Sequence, residues 1–408
     1  MKHLLTIVSI GLLAAFSVTA RPAAAADSVR PQVGKPLKAA QSLIREHKYK
    51  QALSEIDTVD AVADKTAYEK FLIERMRVAA AIGAGATDVA AKALDAIVAT
   101  RQMSRDETLK LTRAVVDLYY RDRNYGKAID WADRYRKAGG SDPALDTLVA
   151  QAYYLKGDYA AASRVVKSQI AAVERAGRVP GEQQLQLLVS SELKRHDQAD
   201  YVRALQQLVT YYPKPNYWND LIIQTQRQSG FSASLSLDVF RLMLATGTLT
   251  KASDYMEMAE LALQAGFPAE ARHVLERGYA NKVLGSGPQA PRQRRLKDLV
   301  DQKVAEDRRT LAAQAQQAAG QDGDTMLATG YDLVLSGQAE KGLTLMQRGI
   351  AKDKLRYPEA AKLHLGLAYL NAGNKPKALQ IFRTVQGHDG AADLARLWMI
   401  VAHSAANG

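Results

Sequence analysis

Residues 359–390 read EAAKLHLGLAYLNAGNKPKALQIFRTVQGHDG, and in them Leu365, Gly366, Tyr369, Ala378 and Phe382 fall on the spacing L-G-x2-Y followed by A-x3-F. Small and large apolar residues at helical spacing, on both sides of Gly373-Asn374, predict two helices joined by a tight turn. The small residues let the two helices approach, and Tyr369 and Phe382 fill the space beside them. A hairpin of this kind leaves an apolar face that only a neighbour can cover, so the chain is expected to stack several of them.

Working outward with Ala378 as the marker of the second helix, comparable small residues stand at Ala52, Ala90, Ala128, Ala162, Ala204, Ala271 and Gly342. The intervals of 67 and 71 residues from Ala204 to Ala271 and from Ala271 to Gly342 are near double, so each should contain one degenerate hairpin. Gly157-Asp158, Gly266-Phe267-Pro268 and Ser336-Gly337 supply turns between paired helices, and Asp142-Pro143 and Tyr357-Pro358 open new ones. The stretch 213–250 departs from the pattern, with helical segments around Trp218–Arg227 and Leu235–Leu244. A breaker at 284–292 precedes a polar, Ala/Gln-rich helix from Leu296 to Ala319. These features divide the chain into 27–284, a linker and polar helix over 285–322, and 323–408, where Ala391–Ala405 reads as a helix capping the open end of the stack.

The 34-residue pattern of Leu365 to Phe382, with Ala150-x2-Tyr153, Gly157-Asp158-Tyr159 and Ala162 in an earlier unit, resembles the tetratricopeptide (TPR) superfamily. The likeness is strongest at 109–176 and 323–390, and the whole is similar to signal-bearing TPR proteins of proteobacteria. It implies an all-α, right-handed superhelical solenoid that binds proteins, has no cofactor or metal and is not an enzyme. It also implies that first helices line the concave face. On the third and fourth units this selects Lys110, Arg113, Asp117, Tyr120 and Arg121, then Ala144, Thr147, Gln151, Tyr154 and Leu155, as the partner-binding groove. The carboxylate clamp of chaperone-type members has Lys and Asn where Arg113 and Asp117 stand, so that ligand mode is not expected. In the last unit the same positions are Ala360, Leu363, Leu367, Leu370 and Asn371. An apolar groove of this kind needs a cover, for which the chain's own capping helix is favoured over a partner helix.

Met1-Lys2-His3, the apolar run Leu4–Val18 and Ala24-Ala25-Ala26 read as a secretory signal over residues 1–26. The run is short for a membrane span, so stable membrane insertion is not expected after cleavage, and a periplasmic or secreted bacterial protein is. The formal charge is +12, and the segment holds Lys2 and Arg21 and no acid, leaving +10. Such a balance suits acidic surfaces; nucleic acid is not expected as a partner, because no basic-aromatic binding module appears. With no cysteine, neither disulfides nor thiolate metal sites arise.

The seven histidines include no i, i+4 pair, so zinc ligation is not expected. Gly285-Ser286-Gly287-Pro288-Gln289-Ala290 formally fits a nucleotide fingerprint, but a helix precedes it and a proline follows. Gly342-Leu343-Thr344-Leu345-Met346-Gln347 is similar to a run in lytic transglycosylases, yet Gly323–Ser336 offers only Asp324 and Asp332 in place of the glutamate acid. The leading expectation is a scaffold that holds a peptide segment or helix of another envelope protein. The alternative is a peptidoglycan-acting enzyme or cell-wall-binding accessory protein.

Overall fold

The computed structural model describes residues 28–352 and 354–404, so the expected signal segment at 1–26 lies outside the described residues. Among the described residues the secondary structure is helical, without strands. The fold is all-α, built of stacked helix hairpins. It forms two compact units that divide between Lys156 and Gly157.

The first unit holds α1 (Pro31–Arg45), α2 (Tyr49–Thr58), α3 (Ala67–Ala84), α4 (Thr87–Thr100), α5 (Arg105–Arg121), α6 (Tyr125–Lys137) and α7 (Pro143–Lys156). α1 and α2, α3 and α4, and α5 and α6 pack as hairpins. Their starts are fixed locally: Thr66 and Glu69 form a capping box on α3, Ser104 caps α5 and Asn124 caps α6. Glu69 is fully buried because it also takes the backbone N–H and guanidinium of Arg30, at 3.0 and 2.8 Å, tying the start of α1 to α3.

The second unit continues with α8 (Tyr159–Arg175), α9 (Glu182–Arg195), α10 (Gln198–Tyr211), α11 (Pro215–Gln226), α12 (Ser236–Ala245), α13 (Ala252–Gln264) and α14 (Pro268–Ala280). After them come α15 (Ala290–Ala318), α16 (Gly323–Leu335), α17 (Ala339–Ile350), α18 (Pro358–Asn371), α19 (Lys375–Phe382) and α20 (Ala391–Ser404). One apolar core runs from Tyr201 to Trp398 and takes in Leu284, Leu296 and Val300, so the breaker at 284–292 interrupts the helices but not the core. α20 lies on α18 and α19 and also reaches α10 and α12, and the Ser232 N–H donates to the Asp389 carbonyl at 2.8 Å. The C-terminal end of this unit therefore folds back onto its middle.

The eight small-residue markers all lie in second helices and all are buried. Seven of them follow a left-handed residue by five positions: His47, Gly85, Arg123, Gly157, Gly266, Gly337 and Gly373. The eighth does not. The turn after α9 takes its positive φ at His196, which puts Tyr201, buried at 7% exposure, in the marker's place and Ala204 three residues further on. The first long interval does contain an extra pair of helices, α11 and α12. The second contains α15, a single 29-residue helix that covers the helix expected at Leu296–Ala319 and starts earlier, at Ala290, in place of the degenerate hairpin that the interval suggests. No glycine or proline stands between Arg292 and Ala319, and Leu296, Val300, Val304, Leu311 and Ala318 form a buried stripe along this one helix.

The aromatic run at 211–218 is a joint. Trp218 is buried, Tyr212 donates to the Pro180 carbonyl at 2.9 Å, and Tyr211 and Tyr217 donate to Glu174 and Glu182 at 2.9 and 2.6 Å. The basic region of α15 is paired, with Lys297 on Asp301 at 2.6 Å, Lys303 on Glu306 at 2.9 Å and Arg292 on Glu260 at 3.0 Å.

Helix approach is tightest between α16 and α17. A Cβ built on Gly342 would sit 2.4 Å from the Gly330 carbonyl oxygen, and one on Gly366 would sit 2.3 Å from the Phe382 ring. Gly342→Ala and Gly366→Leu are each expected to lower stability by about 1–3 kcal/mol. Gly126, at the start of α6 with nothing within 4 Å of an added Cβ, provides the control. Gly126→Ala should be neutral or stabilising by up to about 1 kcal/mol. Urea midpoints of the three variants check this, and equal midpoints for Gly342→Ala and Gly126→Ala would contradict the packing.

Candidate functional site

The residues selected for the groove lie on α5 and α7 of the first unit. Lys110, Arg113, Asp117 and Tyr120 follow one another at intervals of three or four, which sets them along one side of α5. Arg113 is half-buried and reaches the next first helix: its Nε donates to Asp142, at the start of α7, at 2.9 Å, and it also pairs with Asp117. Burial opposes the charge on Arg113, but the two carboxylates outweigh it and hold its pKa above the ordinary arginine value. For Asp142 burial acts in the opposite sense to Arg113 and the Ala144 amide, which together leave the carboxyl below its usual range.

Tyr120 donates to Gln151 Oε1 at 3.1 Å and meets the edge of Tyr125 at 5.5 Å between ring centres. Burial, helped by Tyr125, raises its pKa, so it stays a neutral donor. The same kind of link joins α3 to α5, where Arg75 pairs with Glu107 at 2.8 Å. First helices are thus cross-tied by Arg75 to Glu107, Arg113 to Asp142 and Tyr120 to Gln151. Second helices carry their own ties, Lys127 to Asp88 at 2.8 Å and Arg134 to Asp95 at 2.7 Å.

Other selected residues behave differently. Thr147 is half-buried and spends its hydroxyl on the Pro143 carbonyl at 3.1 Å. Tyr154 is half-buried, whereas Lys110, Ala144 and Leu155 are exposed. Arg121 leaves the group and turns its guanidinium toward Gly85 at the end of α3. Because Arg113 is committed to two carboxylates, the face has no free arginine of the sort that grips a chain-terminal carboxylate.

In the second unit the corresponding apolar positions of the last hairpin are covered. Ala360, Leu363 and Leu367 are buried, and α20 supplies Leu394, Leu397 and Trp398 to the same core. Beside them is a cluster that sequence reasoning missed. Arg241 of α12 donates to both oxygens of Glu270 on α14 at 2.7 Å and to Asp238 at 2.7 Å. His364 of α18 lies 3.0 Å from both oxygens of Asp238, and the Arg241 guanidinium sits 4.9 Å from the centre of the Tyr331 ring on α16. Burial pushes the Asp238 carboxyl up, but His364 and Arg241 overcome it and bring it to about 2. Burial likewise pushes the Tyr331 phenol well above its usual value. The only trace of this cluster in the sequence is a pair of opposite charges, Asp238 and Arg241, at i, i+3 within an apolar helix.

Gly342 and Met346, the residues of the transglycosylase-like run, are buried between α16 and α17 as packing residues. No cluster of three metal-ligating side chains occurs among the described residues, and none of their helices is long and apolar enough to cross a membrane.

No family model matches the chain, and no curated protein does. Solved structures do. One is the TPR2AB domain of yeast Sti1 in a pHSP90 complex, at 13% identity over 74% of this chain and 96% of that one, with a TM-score of 0.25. The TPR domain of P58(IPK) matches at 13% identity over 92% and 98%, with a TM-score of 0.21. Yeast Tom70 matches at 9% identity over 92% and 96%, with a TM-score of 0.20. Superposition at these scores is loose, and no partner or role is carried over from them.

Asp332 on α16 is 4% exposed, and its Oδ1 has no hydrogen-bond partner. Burial first, and Asp307 of α15 second, raise it to about 7. The folded protein therefore holds this proton more tightly than the unfolded chain, whose aspartates titrate near 3.9. The stabilisation is complete below about pH 4 and is lost as the pH rises to about 7. Asp332→Asn removes that dependence, so the thermal midpoint of the variant minus that of the parent should be larger at pH 8 than at pH 4. An equal difference at the two pH values would show that folding does not raise the Asp332 pKa.

Proposed function

We propose that this protein is a protein-interaction scaffold, exported to the periplasm or secreted, that holds a peptide segment or helix of another envelope protein along the first helices α3, α5 and α7. The observation that carries this reading is the set of ties between those helices. Tyr120 is fixed by Gln151 and Tyr125, and Arg113 by Asp142 and Asp117, before any partner arrives. Side chains already held in place lose little freedom on binding, and half-buried tyrosines give large contact area with a polar tip. The mixture of Lys110, Asp117, Gln151 and the two tyrosines Tyr120 and Tyr154 fits a polar, extended or helical segment in place of a catalytic pocket. The leader-like residues 1–26 support the exported location. For the peptidoglycan reading, the run at 342–347 offers no support once Gly342 and Met346 are accounted for by packing.

The test is photocrosslinking in the cell envelope from probes placed at Lys110, Asp117 and Gln151, with a probe at Asp130 on α6 as control. The first three should trap one common partner that the control does not, and Tyr120→Ala with Tyr154→Ala should abolish the trapping while the protein stays folded. Trapping that survives the double substitution would place the contact elsewhere. Release of soluble muropeptides from purified sacculi would favour the enzyme reading instead.

A further inference from the structure

The fold-back of the second unit leaves a cavity of about 560 Å³ between α12, α13, α14, α16, α18 and α20. Its size is in the range of small-molecule sites. About half of its lining is apolar, from Leu244, Met258, Val334, Leu335, Leu367 and Leu370, and the rest is polar, chiefly from α14. Its floor is rigid, because Arg241 is held by Glu270 and Asp238. Of the three arginines that line it, Arg241 faces two carboxylates and Arg272 one. Glu270 is satisfied by two bonds from Arg241, and Glu276 is shared with Arg272 at 3.8 Å. Arg277, on the same exposed edge of α14 as His273, has no ion pair among the described residues. Arg277 is therefore the cation at the mouth that an incoming anion can pair with.

A second observation points the same way. Trp398 of α20 lines the cavity at 8% exposure, and its indole Nε1 is buried without a hydrogen-bond partner. An unmet buried donor costs free energy that an acceptor brought in beside it would relieve. We infer that this cavity is a binding site for a small organic acid: a carboxylate that accepts from the Trp398 indole N–H and is drawn in by Arg277 at the mouth, and a compact apolar body against the leucines. The site lies wholly within the second unit and stands or falls independently of the face proposed above. A peptide ending in an apolar residue presents the same chemistry, and the free acid is the source that the cavity's volume of about 560 Å³ favours.

The experiment follows the three indole N–H resonances of the full chain, Trp131, Trp218 and Trp398, with Trp398→Phe assigning the relevant one. Titrants are 3-phenylpropanoate, 4-methylpentanoate, the matching alcohol 3-phenylpropanol, and an acetylated peptide ending in phenylalanine. The acids should shift the Trp398 signal saturably and the alcohol should not. Arg277→Gln should weaken binding about tenfold, equivalent to ~1.4 kcal/mol, and Ala245→Trp at the rim should block it. Both positions are exposed, and melting curves confirm folding. Absence of a shift with either acid, an equal response to the alcohol, unchanged affinity in both variants, or binding of the peptide alone would each overturn the inference. Should either variant fail to fold, the comparison of acid with alcohol on the parent protein decides.

Discussion

Everything in this protein rests on how closely two consecutive helices can approach at one point. In seven hairpins a left-handed residue ends the first helix, and five positions later a small residue, from Ala52 to Ala378, is buried where the second helix crosses it; after His196 the large Tyr201 takes that place. The turn sets the direction of the return helix, and the missing side-chain volume sets its distance. Each hairpin then offers one apolar side to the next. Packing of this kind is almost wholly local in sequence, so the stack can tolerate large changes elsewhere. The limit is reached between α16 and α17, where the Gly342 and Gly330 backbones are themselves in contact range.

What cannot be local is the closure of the second unit. His364 and Asp238 are separated by 126 residues and meet at 3.0 Å. Burying Asp238, Arg241 and Glu270 has a desolvation cost that hydrophobic side chains would avoid, and a half-satisfied arrangement would be far worse. The geometry is accordingly complete: each of Arg241's Nε, Nη1 and Nη2 reaches a carboxylate oxygen, and Asp238 is shared with His364. Such a network favours one mutual placement of α12, α14, α16 and α18, where leucine packing alone would accept several.

The helical class and most of the hairpins were legible because the signals are local: small residues at helical spacing, and glycine at the turns after α7, α13, α16 and α18. Where the same turn is made by His47, Arg123 or His196, composition gives no warning, since these residues take a positive φ only under the pressure of the helices on both sides. The misplacement of the fifth marker follows from this. A search for small residues finds Ala204, while the structural position belongs to Tyr201, whose ring fills the irregular joint next to α11. The helix expected at Leu296–Ala319 is α15, but the lack of a second helix to pair with it was not legible. An interval near twice the repeat length suggests two hairpins, but with no breaker between Arg292 and Ala319 helix propagation continues. The buried charge cluster was illegible because its members come from four helices.

The two units put equivalent positions of their first helices to different uses, and side-chain chemistry explains the difference. Along α5 the positions are Lys110, Arg113, Asp117 and Tyr120, which can remain hydrated and pair with one another. Along α18 they are Ala360, Leu363, Leu367 and Leu370, which cannot stay in water at that density, and the nearest apolar element, α20, covers most of them. Leu367 and Leu370 also extend to the edge of the cavity, which α20 covers only in part, with Trp398 at its boundary. An apolar first helix thus draws in part of its own chain and leaves a cavity beside it that is open on one side. A polar one stays available to an external segment. On this ground the proposed macromolecular partner falls to the first unit and the proposed small molecule to the second, without any change in the hairpin from which both are built.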